Sequence, residues 1–171
     1  MNEPTKTGSK FVYVTFIRTT AEKLWDALTK PEFNRIYWYD MWQDSDFKEG
    51  SSWKLMFPDG HIADQGTIVV SEKPKRLVIS WCNEWKPELK SEGRSRATFD
   101  IEPAGPAVKL TVTHEISIAD SKLIEAVSGG WPLILSGLKS LLETGEKLAI
   151  PHPHPRAANA CPPLAPTGAD C

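Results

Sequence analysis

The chain has little sulfur, no long apolar run and almost no net charge, and each shortage removes a class of protein. Its three cysteines are Cys82, Cys161 and Cys171. The number is odd and no two stand in a CxxC pair, so neither a disulfide framework nor a cysteine-rich metal knuckle is written into the sequence. Cys82 falls in a strand-like run and reads as a small half-buried side chain or a solvent-facing thiol. Cys161 and Cys171 read as free thiols. No apolar stretch approaches the roughly 20 residues of a membrane-spanning helix. The opening residues, MNEPTKTGSK, lack the apolar core of a signal peptide, so the expected location is the cytoplasm. With 20 basic and 22 acidic side chains the formal charge is −2. That balance gives no electrostatic footing for nucleic acid or for an anionic membrane.

What remains is an ordinary folding composition. The 171 residues, 40% of them hydrophobic, are enough for one domain with its own core. Residues 1–9 are polar and are expected to be loose. Residues 10–150 carry the periodic patterns of a folded domain. From residue 151 the composition changes to PHPHPRAANACPPLAPTGADC, with six prolines and almost no large apolar side chain. Such a segment cannot offset its ordering entropy and reads as a disordered tail, 151–171.

Inside the domain the period switches from strand to helix, back to strand and again to helix. Phe11 to Arg18 is rich in aromatic and β-branched residues and predicts a strand. Thr19-Thr20-Ala21-Glu22 predicts a capping box with Thr19 as the cap. The helix after it carries Leu24, Trp25 and Leu28 on one face. Pro31 suits the first turn of a second short helix holding Phe33, Ile36 and Tyr37. Ser51–Phe57, Ile62–Glu72, Leu77–Cys82, Arg94–Glu102 and Val108–Glu115 then read as strands separated by turns such as Pro58-Asp59-Gly60. Their clean alternation of apolar and polar residues predicts an antiparallel sheet with one dry and one wet face. Leu123, Ile124 and Val127 open a final helix, Gly129-Gly130 interrupts it, and Pro132 starts a new turn that leads into the stripe Ile134, Leu135, Leu138, Leu141 and Leu142. A one-faced sheet with a single long amphipathic helix to cover it predicts an α+β helix-grip fold: a curved antiparallel sheet wrapped around the C-terminal helix, with two short helices after the first strand.

Particular words of the sequence, in this order, point to a family. They are Thr20-Ala21-Glu22-Lys23-Leu24-Trp25-Asp26-Ala27-Leu28-Thr29, Ser45-Asp46-Phe47-Lys48-Glu49-Gly50-Ser51, Asp59-Gly60, Gly66-Thr67-Ile68-Val69, Pro74-Lys75-Arg76-Leu77-Val78-Ile79-Ser80-Trp81 and Gly130-Trp131-Pro132-Leu133-Ile134-Leu135-Ser136-Gly137-Leu138-Lys139. Over residues 10–148 the chain resembles the SRPBCC (START-like, birch-pollen-allergen-like) superfamily, in the branch named after the activator of the ninety-kilodalton heat-shock protein ATPase. The resemblance implies an internal cavity between sheet and long helix, a link to chaperones and the stress response, and no cofactor. The eukaryotic activators carry a further N-terminal domain for which this chain has no room, and that counts against chaperone stimulation.

Seven tryptophans is a high number for a domain of this size. Tyr37, Trp38, Trp53, Leu55, Trp81, Phe99, Val112, His114, Trp131 and Leu135 are the candidate cavity residues. Aromatic walls suit a flat or oily ligand, because each ring offers a large rigid contact area. Tyr37 and Trp38, with Trp42, fall where the second short helix meets the sheet, and are expected at the cavity mouth. His114 shares its parity with Val108, Leu110 and Val112 and should point inward, where it could orient a ligand carbonyl or act as a base. No Asp or Ser is placed by spacing to complete a relay, so no catalytic residue is assigned. His152 and His154 are two ligands without a third, and no metal site is assigned. The sequence thus reads as a binding module for a small apolar or aromatic ligand, and as an enzyme only with less support. Its alternatives are a chaperone co-factor-like interaction module and a cyclase or hydrolase using the same cavity.

Overall fold

The computed structural model describes residues 7–151. The Pro-rich tail from residue 152, with His152, His154, Cys161 and Cys171, lies outside the described residues, as does most of the segment 1–9. Along the described chain the elements are β1 (Ser9–Ile17), α1 (Ala21–Thr29), α2 (Pro31–Tyr37), β2 (Trp42–Asp44), β3 (Ser52–Met56), β4 (Ile62–Glu72), β5 (Arg76–Asn83), α3 (Pro87–Lys90), β6 (Ser95–Ala104), β7 (Ala107–Ile116) and α4 (Lys122–Thr144). Seven strands form one antiparallel sheet in the order β1-β7-β6-β5-β4-β3-β2. The alternation read from the sequence becomes register. Ala97, Phe99 and Ile101 of β6 lie opposite His114, Val112 and Leu110 of β7, and all six are buried. This is the helix-grip arrangement: the dry face holds α4 through Trp131, Leu135 and Leu138, and α1 and α2 close the same face through Leu24, Trp25, Leu28 and Tyr37.

Local expectations needed three corrections, and one short helix adds to them. The cap of α1 is Thr20, whose hydroxyl accepts from the backbone of Lys23 at 3.2 Å, one residue later than expected. Helix α4 is not interrupted at Gly129-Gly130 but runs unbroken over 23 residues with Pro132 inside it. Pro132 removes one backbone donor, yet Leu123 and Ile124 before it and Trp131, Leu135 and Leu138 around it are all buried on one side of the helix. Tertiary packing overrides the local break. The charged stretch after β5 contains a short helix, α3, whose Leu89 packs with Ile116, Leu123 and Ile124 in a second small apolar cluster. Cys82 is fully buried rather than half-buried or solvent-facing.

Candidate functional site

The candidate residues converge in the middle of the grip, and they do so ring against ring. Trp53 on β3 and Trp81 on β5 lie 4.4 Å apart between centroids. Both are cross-strand partners of Gly66 on β4. A Cβ at position 66 would come within 1.7 Å of the Ser80 carbonyl oxygen, so only glycine fits there. Trp81 further meets Trp38 at 6.4 Å in a stacked arrangement and Trp131 at 5.8 Å edge-on. Trp131 in turn meets Trp38 and Phe99, each at 5.6 Å. These separations and tilts are the ones that aromatic quadrupoles favour. Trp38 and Tyr37 were expected to flank an opening. They are 4% and 5% exposed: Trp38 is folded into the ring cluster, while Tyr37 borders a half-open cleft. Leu55, Val112 and Leu135 are buried in the same core. Trp42 lies apart on β2, under the Arg35 guanidinium at 3.9 Å.

Two chains of hydrogen bonds hold the polar ends of these rings. The Trp131 indole N–H donates to Nδ1 of His114 at 3.2 Å, and Nε2 of His114 lies 2.8 Å from the Ser95 hydroxyl. Ser95 donates onward to the carbonyl of Trp81 at 3.1 Å. Since Nδ1 accepts and the serine proton is committed to a carbonyl, the assigned form of His114 is the neutral tautomer with its proton on Nε2. Burial pushes the pKa of this imidazole down to about 3. His114 does point inward as its parity predicts. Both of its nitrogens are occupied, however, and as placed it has none free to take a proton from a substrate.

The second chain joins the short helices to the sheet. The Trp53 indole donates to Oε1 of Gln43 at 2.8 Å, and the Gln43 amide donates to the carbonyl of Leu28 at 2.6 Å. Asn34 accepts from the backbone of Gln43 at 3.1 Å and donates to the Ala27 carbonyl at 3.0 Å. Tyr37 also donates to Ala27, at 3.0 Å, and its burial raises the phenol pKa. Among the described residues no buried side-chain polar atom lacks a partner.

One inward ionisable group escaped the sequence reading. Asp64 on β4 lies opposite Leu55 on β3 and Asn83 on β5, on the face that Gly66 shares. It is buried, and the Asn83 amide donates to it at 2.9 Å. Burial raises its pKa to about 7; hydrogen bonds from Trp81 and Asn83 pull the other way, and the nearby Glu84 carboxylate adds to the rise. A signal existed, since Asp64 has the parity of Gly66 and of the buried Ile68, but no face could be assigned to β4 from its own pattern. Away from the aromatic core, a half-open cleft of about 270 Å³ is bounded by Ile36, Tyr37, Tyr39, Leu133, Gly137 and residues 147–151.

Comparison with known proteins gives one family model and a set of solved structures that share the fold, among them Hsp90 activators and a putative protein of the dynemicin biosynthetic locus. The family model described as Activator of Hsp90 ATPase homolog 1-like protein matches residues 18–143. No curated protein matches the chain. Among solved structures, a Cytophaga hutchinsonii protein is 27% identical, with a TM-score of 0.64, covering 80% of this chain and 95% of its own. The Aha1 dimer from Colwellia psychrerythraea is 17% identical with a TM-score of 0.65, covering 80% of this chain and 98% of its own. An HSP90 activator from Plasmodium falciparum is 20% identical with a TM-score of 0.63, covering 78% of this chain and 95% of its own.

Proposed function

The chain belongs to the Activator of Hsp90 ATPase homolog 1-like family, and from that premise we propose that it works as a protein-interaction module whose partner is a chaperone of the ninety-kilodalton class. The observation that carries this reading is the contrast between inside and outside. The side chains nominated to line a cavity instead pack against one another. The outer face of β1 meanwhile offers Val12, Val14 and Phe16 to solvent, each about half exposed. An apolar row on the surface of a chain whose inner rings touch one another suits contact with another protein. The activator described from Plasmodium, matched over 95% of its length, supports the choice of partner. The test is the ATPase rate of the purified chaperone with and without this protein, together with direct binding by calorimetry. Stimulation or inhibition with saturable binding is the expected outcome; an unchanged rate and no binding heat would remove the reading.

A small apolar or aromatic ligand held between sheet and α4 is the second reading. The cleft that ends on Tyr37, the ring beside Trp38, favours it. In that case Trp38 moves aside and Trp53, Trp81, Phe99, Val112, His114, Trp131, Leu55 and Leu135 become the walls. Native mass spectrometry of freshly purified protein and titration with a fluorescent apolar probe test it. An unliganded mass combined with no saturable uptake counts decisively against it.

A further inference from the structure

Strand β1 is an edge strand, paired with β7 alone among the described residues. Its inner side chains are anchored: Phe11 and Tyr13 pack on the core and Ile17 is fully buried within it. Its direction of hydrogen bonding follows from two contacts at its C-terminal end. Lys139 of α4 donates to the Phe16 carbonyl at 2.5 Å, and the backbone N–H of Arg18 donates to Glu143 at 2.9 Å. Both backbone groups therefore point away from β7. In an antiparallel strand the N–H and C=O of one residue point to the same side and alternate with period two. With an unshifted register along the whole strand, Lys10, Val12 and Val14 also direct their backbone groups to the open side. The same residues carry the exposed outer row. Helix α4 thus closes the edge at Phe16 and Arg18, and among the described residues no group bonds to its outward N–H and C=O from Lys10 to Val14, a length of about 17 Å.

The chemistry around this opening is neutral at its centre. On β7 the neighbours of Val12 and Val14 are Thr113 and Thr111, while Glu115 faces Lys10 and Lys109 faces Phe16 at the two ends. No proline or central charge protects the edge in the way soluble proteins usually guard one. A row one strand wide falls far short of the roughly 1,200 Å² that a stable interface between globular surfaces buries. It is the right size for one added strand, whose affinity comes from main-chain bonds and whose selectivity comes from alternate side chains.

We propose that the open edge of β1, from Lys10 to Val14, binds an extended apolar segment of the protein partner as an eighth strand of the sheet. This rests on the protein-interaction reading and names what part of the partner is recognised: a proline-free stretch of about five residues with β-branched or aromatic side chains at alternate positions.

The test is hydrogen exchange of single amides in the full chain, alone and with the purified ninety-kilodalton chaperone, quenched and read residue by residue. Alone, Lys10, Val12 and Val14 exchange freely, and Phe11, Tyr13 and Thr15 are protected by β7. In the complex the first three become protected. Val14→Pro removes an outward N–H and no bond to β7, so the fold survives while binding weakens roughly tenfold. Val12→Lys supplies the same test through the side-chain row without touching the backbone. An extended Thr-Val-Thr-Val-Thr peptide is the probe that needs no chaperone. Protection of the three amides by the peptide supports the edge site even where the chaperone does not bind, in which case only the choice of partner falls. Chaperone binding that leaves the three amides exposed and tolerates both substitutions overturns the proposal. So does protection that rises with protein concentration alone together with a dimeric mass, which would give the edge to a second copy. Protection by neither chaperone nor peptide overturns it as well.

Discussion

Replacing Asp64 by asparagine should make the protein more stable, and by an amount that depends on pH. The carboxyl is buried on the inner face of β4, with its pKa raised to about 7 against 3.8 for a free aspartate. A group whose folded pKa is raised contributes stability that is complete below its unfolded value. That contribution is lost as the pH climbs through the folded value. For Asp64 the window runs from about pH 4 to about pH 7, a span of roughly three pH units, or about 4 kcal/mol at 1.36 kcal/mol per unit. His114 runs the other way. Its pKa is depressed to about 3 from 6.5 by burial, so it contributes stability above pH 6.5 that is lost as the pH falls toward 3. Between about pH 4 and pH 6.5 the two slopes oppose each other, and the contribution of this pair to the wild-type profile is flat. Asp64→Asn removes one slope and exposes the other. The difference between variant and wild type isolates the aspartate, because every other titrating group cancels. Urea denaturation of both proteins at roughly pH 5 and pH 8 should show the advantage of the variant growing by about 3 kcal/mol across two of the three units. A constant difference between the two pH values would mean that Asp64 ionises normally, and that the carboxyl is better solvated than its burial implies.

Three further outcomes follow from the same geometry. Gly66→Ala pushes a methyl onto the Ser80 carbonyl oxygen, and should cost about 3 kcal/mol or more, seen as a loss of soluble protein or a much lower Tm. Trp131→Phe keeps the ring cluster but strips the donor from Nδ1 of His114. A loss of about 1–3 kcal/mol is expected, and nitrogen NMR of the imidazole should report a changed Nδ1 shift; an unchanged shift would refute the tautomer assignment. Glu92 accepts from the Ser121 hydroxyl and from the backbone of Lys122 and Leu123 at the start of α4. Burial raises its pKa, but those bonds and the Lys122 charge outweigh that and leave it lowered. Glu92→Gln should cost about 1 kcal/mol near neutral pH and less in acid, where wild-type Glu92 is protonated too, and equilibrium unfolding at both pH values checks the sign.

The sequence was a good guide where a residue's neighbours are set by period, and a poor one where they are set by contact between distant elements. The alternation of β6 and β7 placed Ala97, Phe99, Val112 and His114 on one face, and the structure puts them in register there. The stripe on α4 placed Leu135 and Leu138 against that face. The continuity of α4 through Gly129 and Pro132 was not legible, because local breakers were outvoted by the burial of Trp131 and its neighbours. Nor was the fate of the aromatic residues. Whether seven tryptophans line a space or fill it depends on rotamers and on distances such as the 4.4 Å between Trp53 and Trp81. Asp64 was hidden for a related reason: its carboxyl is buried by strands β3 and β5, which its own segment does not encode.

The ring cluster inside the grip and the outward groups of β1 support each other as a mechanism. A ligand of aromatic size that entered between sheet and α4 would have to displace Trp38, Trp81 or Trp131. Moving Trp131 breaks its contacts with Trp38 and Phe99 and orphans Nδ1 of His114 in an apolar setting. Such a buried polar group left unpaired costs about 1–3 kcal/mol before any ligand contact is gained. Adding a strand to β1 asks for none of this. Its inner residues stay packed, its bonds to β7 stay made, and only backbone groups that already face outward change partner, from water to a second chain. The rigid core then serves to hold β1 extended, which spares the edge much of the ordering entropy of binding. Loosening the core while leaving the edge untouched should therefore weaken partner binding without any change at the contact. Trp38→Ala, which removes a ring that touches both Trp81 and Trp131, is the variant that separates a scaffold from a ligand gate. A scaffold loses stability and partner affinity together, whereas a gate gains uptake of an apolar probe while the partner binds as before.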